Sequence, residues 1–414
     1  MMAGNTRWML PEGIEEILPP ETWCLEHLRR RLLDLLHSWG YELVVPPLVE
    51  YLDALLTGTG HDMDVDTVKF VDQLSGRMLG VRADMTPQTA RIDAHQLKRD
   101  TVARLCYLGP VLRARPDQPG AARNPLQLGA ELYGHRGAAS DVEIISLLLE
   151  VLHAVGIEDA YLDLGHTGIF RGLAGHAGLN GRDEERLFDL LQRKAIPEIE
   201  AFLDHSGIDA RTRAMLSALP RLNGDMDVLD QADDVLANAP DEVRGRLADL
   251  RALADALVRD LPRLGLPNVG LHVDLAELRG YRYQTGVVFA AYVPGHGREV
   301  ARGGRYDAIG RVFGREREAT GFSADMKTLF TLANPSVDVL EEQASACVRI
   351  LAPARQDAGL AKAVKALRER GCRVISALDV EDESALRVLA EDMGCGQILA
   401  LRNGDWKPVS VQDG

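Results

Sequence analysis

The chain has few cysteines, no basic excess and no long apolar run, and each shortfall removes a class of function. Its five cysteines, Cys24, Cys106, Cys347, Cys372 and Cys395, stand singly and odd in number, so neither a CxxC metal pattern nor a disulfide framework is predicted. The eleven histidines show no HExxH or other close ligand spacing, and no metal site is expected. A formal net charge of −15 argues against general polyanion binding, which usually needs a concentrated basic face. The ArgArgArg string at 29–31 and the arginines between 302 and 317 read as solvated helix or loop charges. The most apolar run, 144–152, is too short to span a bilayer, and the first ten residues lack the apolar core of a signal peptide. A cytoplasmic protein with neither membrane nor nucleic acid as partner is therefore expected. GlyHisGly at 295–297 is followed by no Lys-Ser or Lys-Thr, and it reads as a turn, not a phosphate loop.

What the chain does contain is a mixture of helical and strand periodicities. Leu25, Leu28, Leu32, Leu33, Leu35 and Leu36 have helical spacing over 22–39, which stops at Gly40. A strand follows at 41–45, closed by Pro46 and Pro47. Segments 68–72, 78–82, 105–113 and 126–134, joined by polar turns, predict an antiparallel sheet. A helix is predicted over 140–155 and a strand over 161–165. From 176 to 265 leucine, alanine, arginine and aspartate dominate in helical spacing, which predicts an all-helical insertion stopped by Pro262 and Pro267. Strands at 269–275, 284–292 and 298–302 and a helix at 323–333 complete the larger part. After residue 345, strands at 348–353, 372–377 and 397–401 alternate with helices near 357–370 and 383–393, the pattern of a small parallel α/β unit. The expected organisation is a core in two parts, 1–175 and 266–335, the insertion at 176–265 and a C-terminal domain at 346–414.

Four fragments carry the chemistry: ELRGYRYQTGVVF at 277–289 and ARGGRYDAIG at 301–310, both read as glycine-punctuated strand-like segments, VRADMTPQT at 81–89 and QLGAE at 127–131. An α-amino acid needs an acceptor for its ammonium, a cation for its carboxylate and polar partners for its side chain. Asp84, Gln127, Glu131, Arg279, Tyr283 and Tyr306 supply that set. Charges placed within apolar strands must be paired, so such a cluster is either a binding site or an internal network.

In order and spacing these fragments resemble the catalytic domain of histidyl-tRNA synthetase from about residue 6 to residue 326. Motif 1 of the class II synthetases is resembled at GYELVVPPLVE (40–50), and motif 2 begins at Leu112 and Arg113. The segments at 277–289 and 301–310 resemble that family's histidine signatures. The resemblance implies an α+β fold: a class II synthetase-like antiparallel sheet flanked by helices, with the helical insertion and a small α/β unit like a truncated anticodon-binding domain. It also implies histidine-binding roles for Asp84, Thr86, Arg113, Gln127, Glu131, Arg279, Tyr283 and Tyr306. Asp84 and Gln127 would lie near the ammonium, Glu131 would face the imidazole and Arg279 would pair with the ligand.

The departures from the pattern fall on the nucleotide side. The acid after Arg113 in the family's Phe-Arg-x-Glu is Arg115, a basic position of the motif 2 loop is Ala121, and the motif 3 arginine is Thr328. Within Arg-Gly-x-Asp-Tyr-Tyr the aspartate is Arg282 and the second tyrosine Gln284. Adenylation depends on cations fixed against the triphosphate, so catalysis is not expected, and no cofactor is implied. This combination resembles the histidyl-tRNA-synthetase-like regulatory subunits of ATP phosphoribosyltransferase. Membership would imply a non-catalytic protein with a short catalytic subunit as partner, a homodimer within a hetero-oligomer, and histidine as effector in the first step of histidine biosynthesis. An active histidyl-tRNA synthetase, or another amino-acid ligase of the class II fold, is the alternative.

Overall fold

The computed structural model describes residues 8–58, 61–116, 121–266, 268–281, 283–333 and 349–412. They divide into two compact units, one within Met1–Ile17 and Leu28–Asn334, the other within Leu18–His27 and Pro335–Gly414.

The first unit is built on a nine-stranded sheet in the order β1-β5-β6-β12-β11-β10-β7-β9-β8. These strands are β1 (Glu42–Leu43), β5 (Ala103–Pro110), β6 (Leu126–Tyr133), β7 (Ala160–His166), β8 (Asn223–Gly224), β9 (Val269–Asp274), β10 (Val287–Tyr292), β11 (Glu299–Arg305) and β12 (Ala319–Asp325). Pairing is antiparallel except between β1 and β5 and between β7 and β9. The helix Glu21–Ser38 buries Leu28, Leu32 and Leu36 at helical spacing and is followed by Gly40, whose φ of 83° suits a residue without a Cβ. The helix Ala138–Ala154 is buried along most of its length and packs against β12 and β6. The stretch expected to be helical, 176–265, lies within this unit. Its longest helix, Asp241–Asp260, packs on Ala138–Ala154 and Thr167–His176, and it also contributes the short strand β8 to the sheet edge.

Several expectations are corrected. Segments 68–72 and 78–82 do not join the main sheet: β3 (Val68–Val71) and β4 (Met78–Val81) pair with β2 (Val49–Tyr51) in a separate three-stranded sheet. Alternation marks a strand without naming its partner, and between β4 and β5 the chain forms the helix Thr86–Arg91 and a π-helical turn, Ile92–Leu97, instead of a hairpin. The described residues between Glu277 and Gly286 are turns and irregular backbone, and strand begins only at Val287. There the backbone N–H groups of Tyr283 and Gln284 both fold back onto the carbonyl of Gly280, each at 2.7 Å, with Gly280 at φ 70°. The predicted helix at 323–333 starts at Met326, because Asp325 ends β12 by accepting the N–H groups of Leu126 at 3.0 Å and Lys327 at 3.1 Å.

The second unit carries a four-stranded sheet in the order β14-β13-β15-β16, from β13 (Ile350–Ala352), β14 (Val374–Ser376), β15 (Gln397–Arg402) and β16 (Asp405–Ser410). The parallel pairing of β13, β14 and β15 is as expected. Strand β16 was not anticipated. It lies at the sheet edge, where Pro408 withholds no interior ladder bond. Asp357 and Asp382 cap the two helices by accepting the N–H groups of Leu360 and Ala385.

Candidate functional site

The site is assembled around Glu131 at the centre of β6. Glu131 faces Gly321 across the β12 pairing, and Tyr107 faces Gly129 across the β5 pairing. The space a Cβ would take at Gly129 is filled by the Tyr107 phenol, and that at Gly321 by the Glu131 carboxylate. Two glycines thus make room for a buried acid and a buried tyrosine in the middle of an apolar sheet.

The Tyr107 hydroxyl donates to Glu131 Oε1 at 2.9 Å and shares a 2.9 Å hydrogen bond with Thr86 Oγ1, while the Tyr306 hydroxyl donates to Glu131 Oε2. The Tyr283 ring stacks on Tyr306 with centroids 5.0 Å apart. Asp84 Oδ1 accepts from Gln127 Nε2 at 2.7 Å and from the backbone N–H of Thr86 at 2.9 Å. Gln127 Oε1 in turn accepts the Met85 N–H at 2.9 Å. Burial pushes the Glu131 carboxyl up to about 8, against the opposing effect of the Tyr306 and Tyr107 hydroxyls. Burial and the nearby Glu131 charge hold Tyr107, Tyr283 and Tyr306 well above the usual phenol range, so all three remain donors. Among the described residues six buried side-chain polar atoms have no hydrogen-bond partner, and three of them belong to residues lining one cavity: the Tyr283 hydroxyl, Gln284 Oε1 and Arg279 Nη1, the last of these ion-paired with Glu299. A buried orphan of this kind is costly unless a ligand satisfies it.

Of the residues singled out in the sequence, Asp84, Thr86, Glu131, Arg279, Tyr283 and Tyr306 line one cavity of about 860 Å³. Arg113 and Gln127 line a neighbouring cavity of about 360 Å³, and Asp84 borders both. Arg279 differs from expectation, because its guanidinium is already held by Glu299 at 3.0 Å and Glu277 at 3.2 Å. Those two carboxylates were missed, as were Tyr107 and the cavity-lining Phe188 and Gln192. The signal for Tyr107 is its spacing two residues from Leu105 on a strand opposite Gly129. No local pattern marks Phe188, which reaches the cavity from a distant helix.

The smaller cavity carries the departures read from the sequence. Ala121 lines it, and so does Thr328, whose hydroxyl turns back to Asp325 Oδ2 at 2.8 Å. Arg115 instead lines the larger cavity, 3.9 Å from Asp66. Cationic side chains remain around the smaller cavity at Arg113, Arg298, Arg302 and Lys327. Arg282 lies outside the described residues, as does Cys347. Among the described residues, Cys24, Cys106, Cys372 and Cys395 form no disulfide.

An antiparallel sheet carrying a buried acid between tyrosines, with an arginine turn at its rim, defines a class II aminoacyl-tRNA synthetase-like protein of the histidyl type. In agreement, the profile of the histidyl-tRNA synthetase family matches residues 13–329, and that of the ATP phosphoribosyltransferase subunit HisZ C-terminal domain matches residues 347–409. An ATP phosphoribosyltransferase regulatory subunit of Thioalkalivibrio sulfidiphilus is 55% identical over 96% of this chain and 97% of its own. The namesake from Pseudomonas aeruginosa is 52% identical over 98% of both. Among solved structures, an ATP phosphoribosyltransferase regulatory subunit/histidyl-tRNA synthetase from Bacillus halodurans is similar at a TM-score of 0.75 and 25% identity, over 93% of this chain and 96% of that one. Histidyl-tRNA synthetase from Nostoc shares the fold at a TM-score of 0.73 and 18% identity, over 97% of each chain. The chain belongs to the family of ATP phosphoribosyltransferase regulatory subunits.

Proposed function

We propose that this protein binds free histidine in the larger cavity and confers a histidine response on a short catalytic subunit of ATP phosphoribosyltransferase, in the cytoplasm and without catalysis of its own. The observation that carries this reading is the pairing of a buried, tyrosine-bonded Glu131 with two orphaned polar atoms, Tyr283 Oη and Gln284 Oε1, beside Asp84. An imidazole presents N–H groups to the acceptors Glu131 and Gln284, and the ammonium is accepted by Asp84. Thr86 and Gln127 fix the Asp84 carboxylate, and Tyr306 carries the aromatic floor. The carboxylate of the ligand turns toward Arg279 at the rim and Arg113 beyond it. Feedback then requires histidine to bind the active and inhibited assemblies with different affinity.

The decisive experiment is reconstitution. Mixed with the short catalytic subunit, the chain raises phosphoribosyl transfer or makes it sensitive to histidine, and an unchanged rate and an unchanged histidine response together overturn the assignment. Alone it shows no ATP–pyrophosphate exchange with histidine, because Ala121 and Thr328 offer no cation where the family places two. Exchange with histidine would restore the synthetase reading.

A homodimer is supported by an apolar surface on the motif 1 side. Val45 is 85% exposed, and Phe70, Val71 and Met78 on β3 and β4 are also exposed. Uncovered apolar side chains on this small sheet and at Val45, in the segment that leads into it, fit a second copy of the chain.

A further inference from the structure

The described residues of the turn segment before Val287, among them Arg279, Tyr283 and Gln284, lie outside any strand, so something else must hold them in place. Binding groups on irregular backbone keep their geometry only through the shell packed behind them. Here that shell is helical. Tyr281, at the border of the larger cavity, is held in a clamp, with Phe188 stacked on it at a centroid distance of 5.1 Å, Phe170 at 5.3 Å and the Arg171 guanidinium 4.6 Å above the ring. Its hydroxyl donates to Glu184. Arg171 Nη2 also donates to the carbonyls of Tyr281 at 2.8 Å and Gln284 at 3.2 Å. Glu184, Phe188 and Gln192 are four residues apart on the helix Gly181–Gln192 and share one face, while Leu187, Leu190 and Leu191 point into the core. Phe188 and Gln192 line the same cavity as Glu131 and Tyr306. The core does not account for this stripe, since its contacts are the turn and the cavity.

We propose that the helix Gly181–Gln192 is the outer wall of the ligand cavity and that Tyr281 is the positioning residue that ties this helix to the ligand-binding turn. Occupancy of the cavity by an amino acid then orders the turn and the helix together, which gives the helical segment a direct reading of the bound ligand. This rests on the histidine reading above.

The test is hydrogen exchange on the full chain assembled with the catalytic subunit, with and without histidine. Amides of 181–192 and 277–286 are expected to slow together when histidine is added. Phe188→Ala is expected to weaken histidine binding about tenfold and to abolish the added protection at 181–192, in a protein that stays folded by circular dichroism although its thermal midpoint falls. Phe188→Tyr restores both. Protection confined to 277–286, or a Phe188→Ala protein that binds histidine like the parent, overturns the inference while leaving the histidine reading standing. If the parent shows no histidine binding, that reading falls, and the coupling is judged on the unliganded protein. There Tyr281→Phe, which loses the bond to Glu184, must speed exchange in both segments; faster exchange in one alone overturns it.

Discussion

Gly321 stands directly opposite Glu131 in the β12–β6 pairing, and the Glu131 carboxylate occupies the volume in which any side chain at 321 would begin. The backbone oxygen of Ala130 lies 2.7 Å from the same point and cannot move aside as a side chain could. Gly321→Ala therefore displaces the acid and strains the sheet. The expected result is loss of histidine binding by calorimetry and a stability loss of about 1–3 kcal/mol in denaturant unfolding.

Glu131 links ligand affinity to pH. Its carboxyl, raised to about 8 by burial, is protonated at neutral pH, while a free imidazole titrates near ~6.5. Near pH 7 the bound pair thus holds one proton between two groups. Above pH 8 neither free partner carries it, so histidine affinity should fall by up to about tenfold per pH unit. Calorimetric titration from pH 6.5 to 9.5 should show this break, and Glu131→Gln should remove the part due to the carboxyl, leaving only the fall caused by loss of the ligand's ammonium proton. The stability sign follows from the same shift. A carboxyl raised in the folded state contributes stability below its unfolded pKa, and that contribution is lost as pH rises through about 8.

Arg279 sits between Glu277 and Glu299 and is partly exposed. Arg279→Ala is expected to weaken the histidine response of the reconstituted complex without dissociating it, because the residue lines the cavity and lies at no proposed subunit contact. It also leaves two carboxylates facing each other. Adding Glu277→Gln should recover part of the thermal midpoint lost by Arg279→Ala, and a double-mutant cycle reads the coupling.

The apolar patch on the motif 1 side predicts self-association. The purified chain should sediment as a dimer at micromolar concentration. Val45→Glu combined with Phe70→Glu places charges at exposed positions, so the fold should survive while the species shifts to monomer.

The sequence by itself determined the long helices, the parallel α/β unit and the chemical inventory of the site, because apolar spacing and residue type are local properties. Leu28, Leu32 and Leu36 announce a buried helix face wherever that helix packs, and Asp84, Glu131 and Tyr306 announce amino-acid chemistry through their resemblance to one family. The tertiary structure alone decided which strands pair, that strand begins only at Val287 after the turns around Gly280, and that Arg279 is held by Glu277 and Glu299. Partner choice in a sheet, the seat that Gly129 and Gly321 leave for Tyr107 and Glu131, and the reach of Phe188 into the cavity depend on residues far apart in the chain. No local periodicity encodes such a meeting, since it is fixed only when the sheet closes around the site.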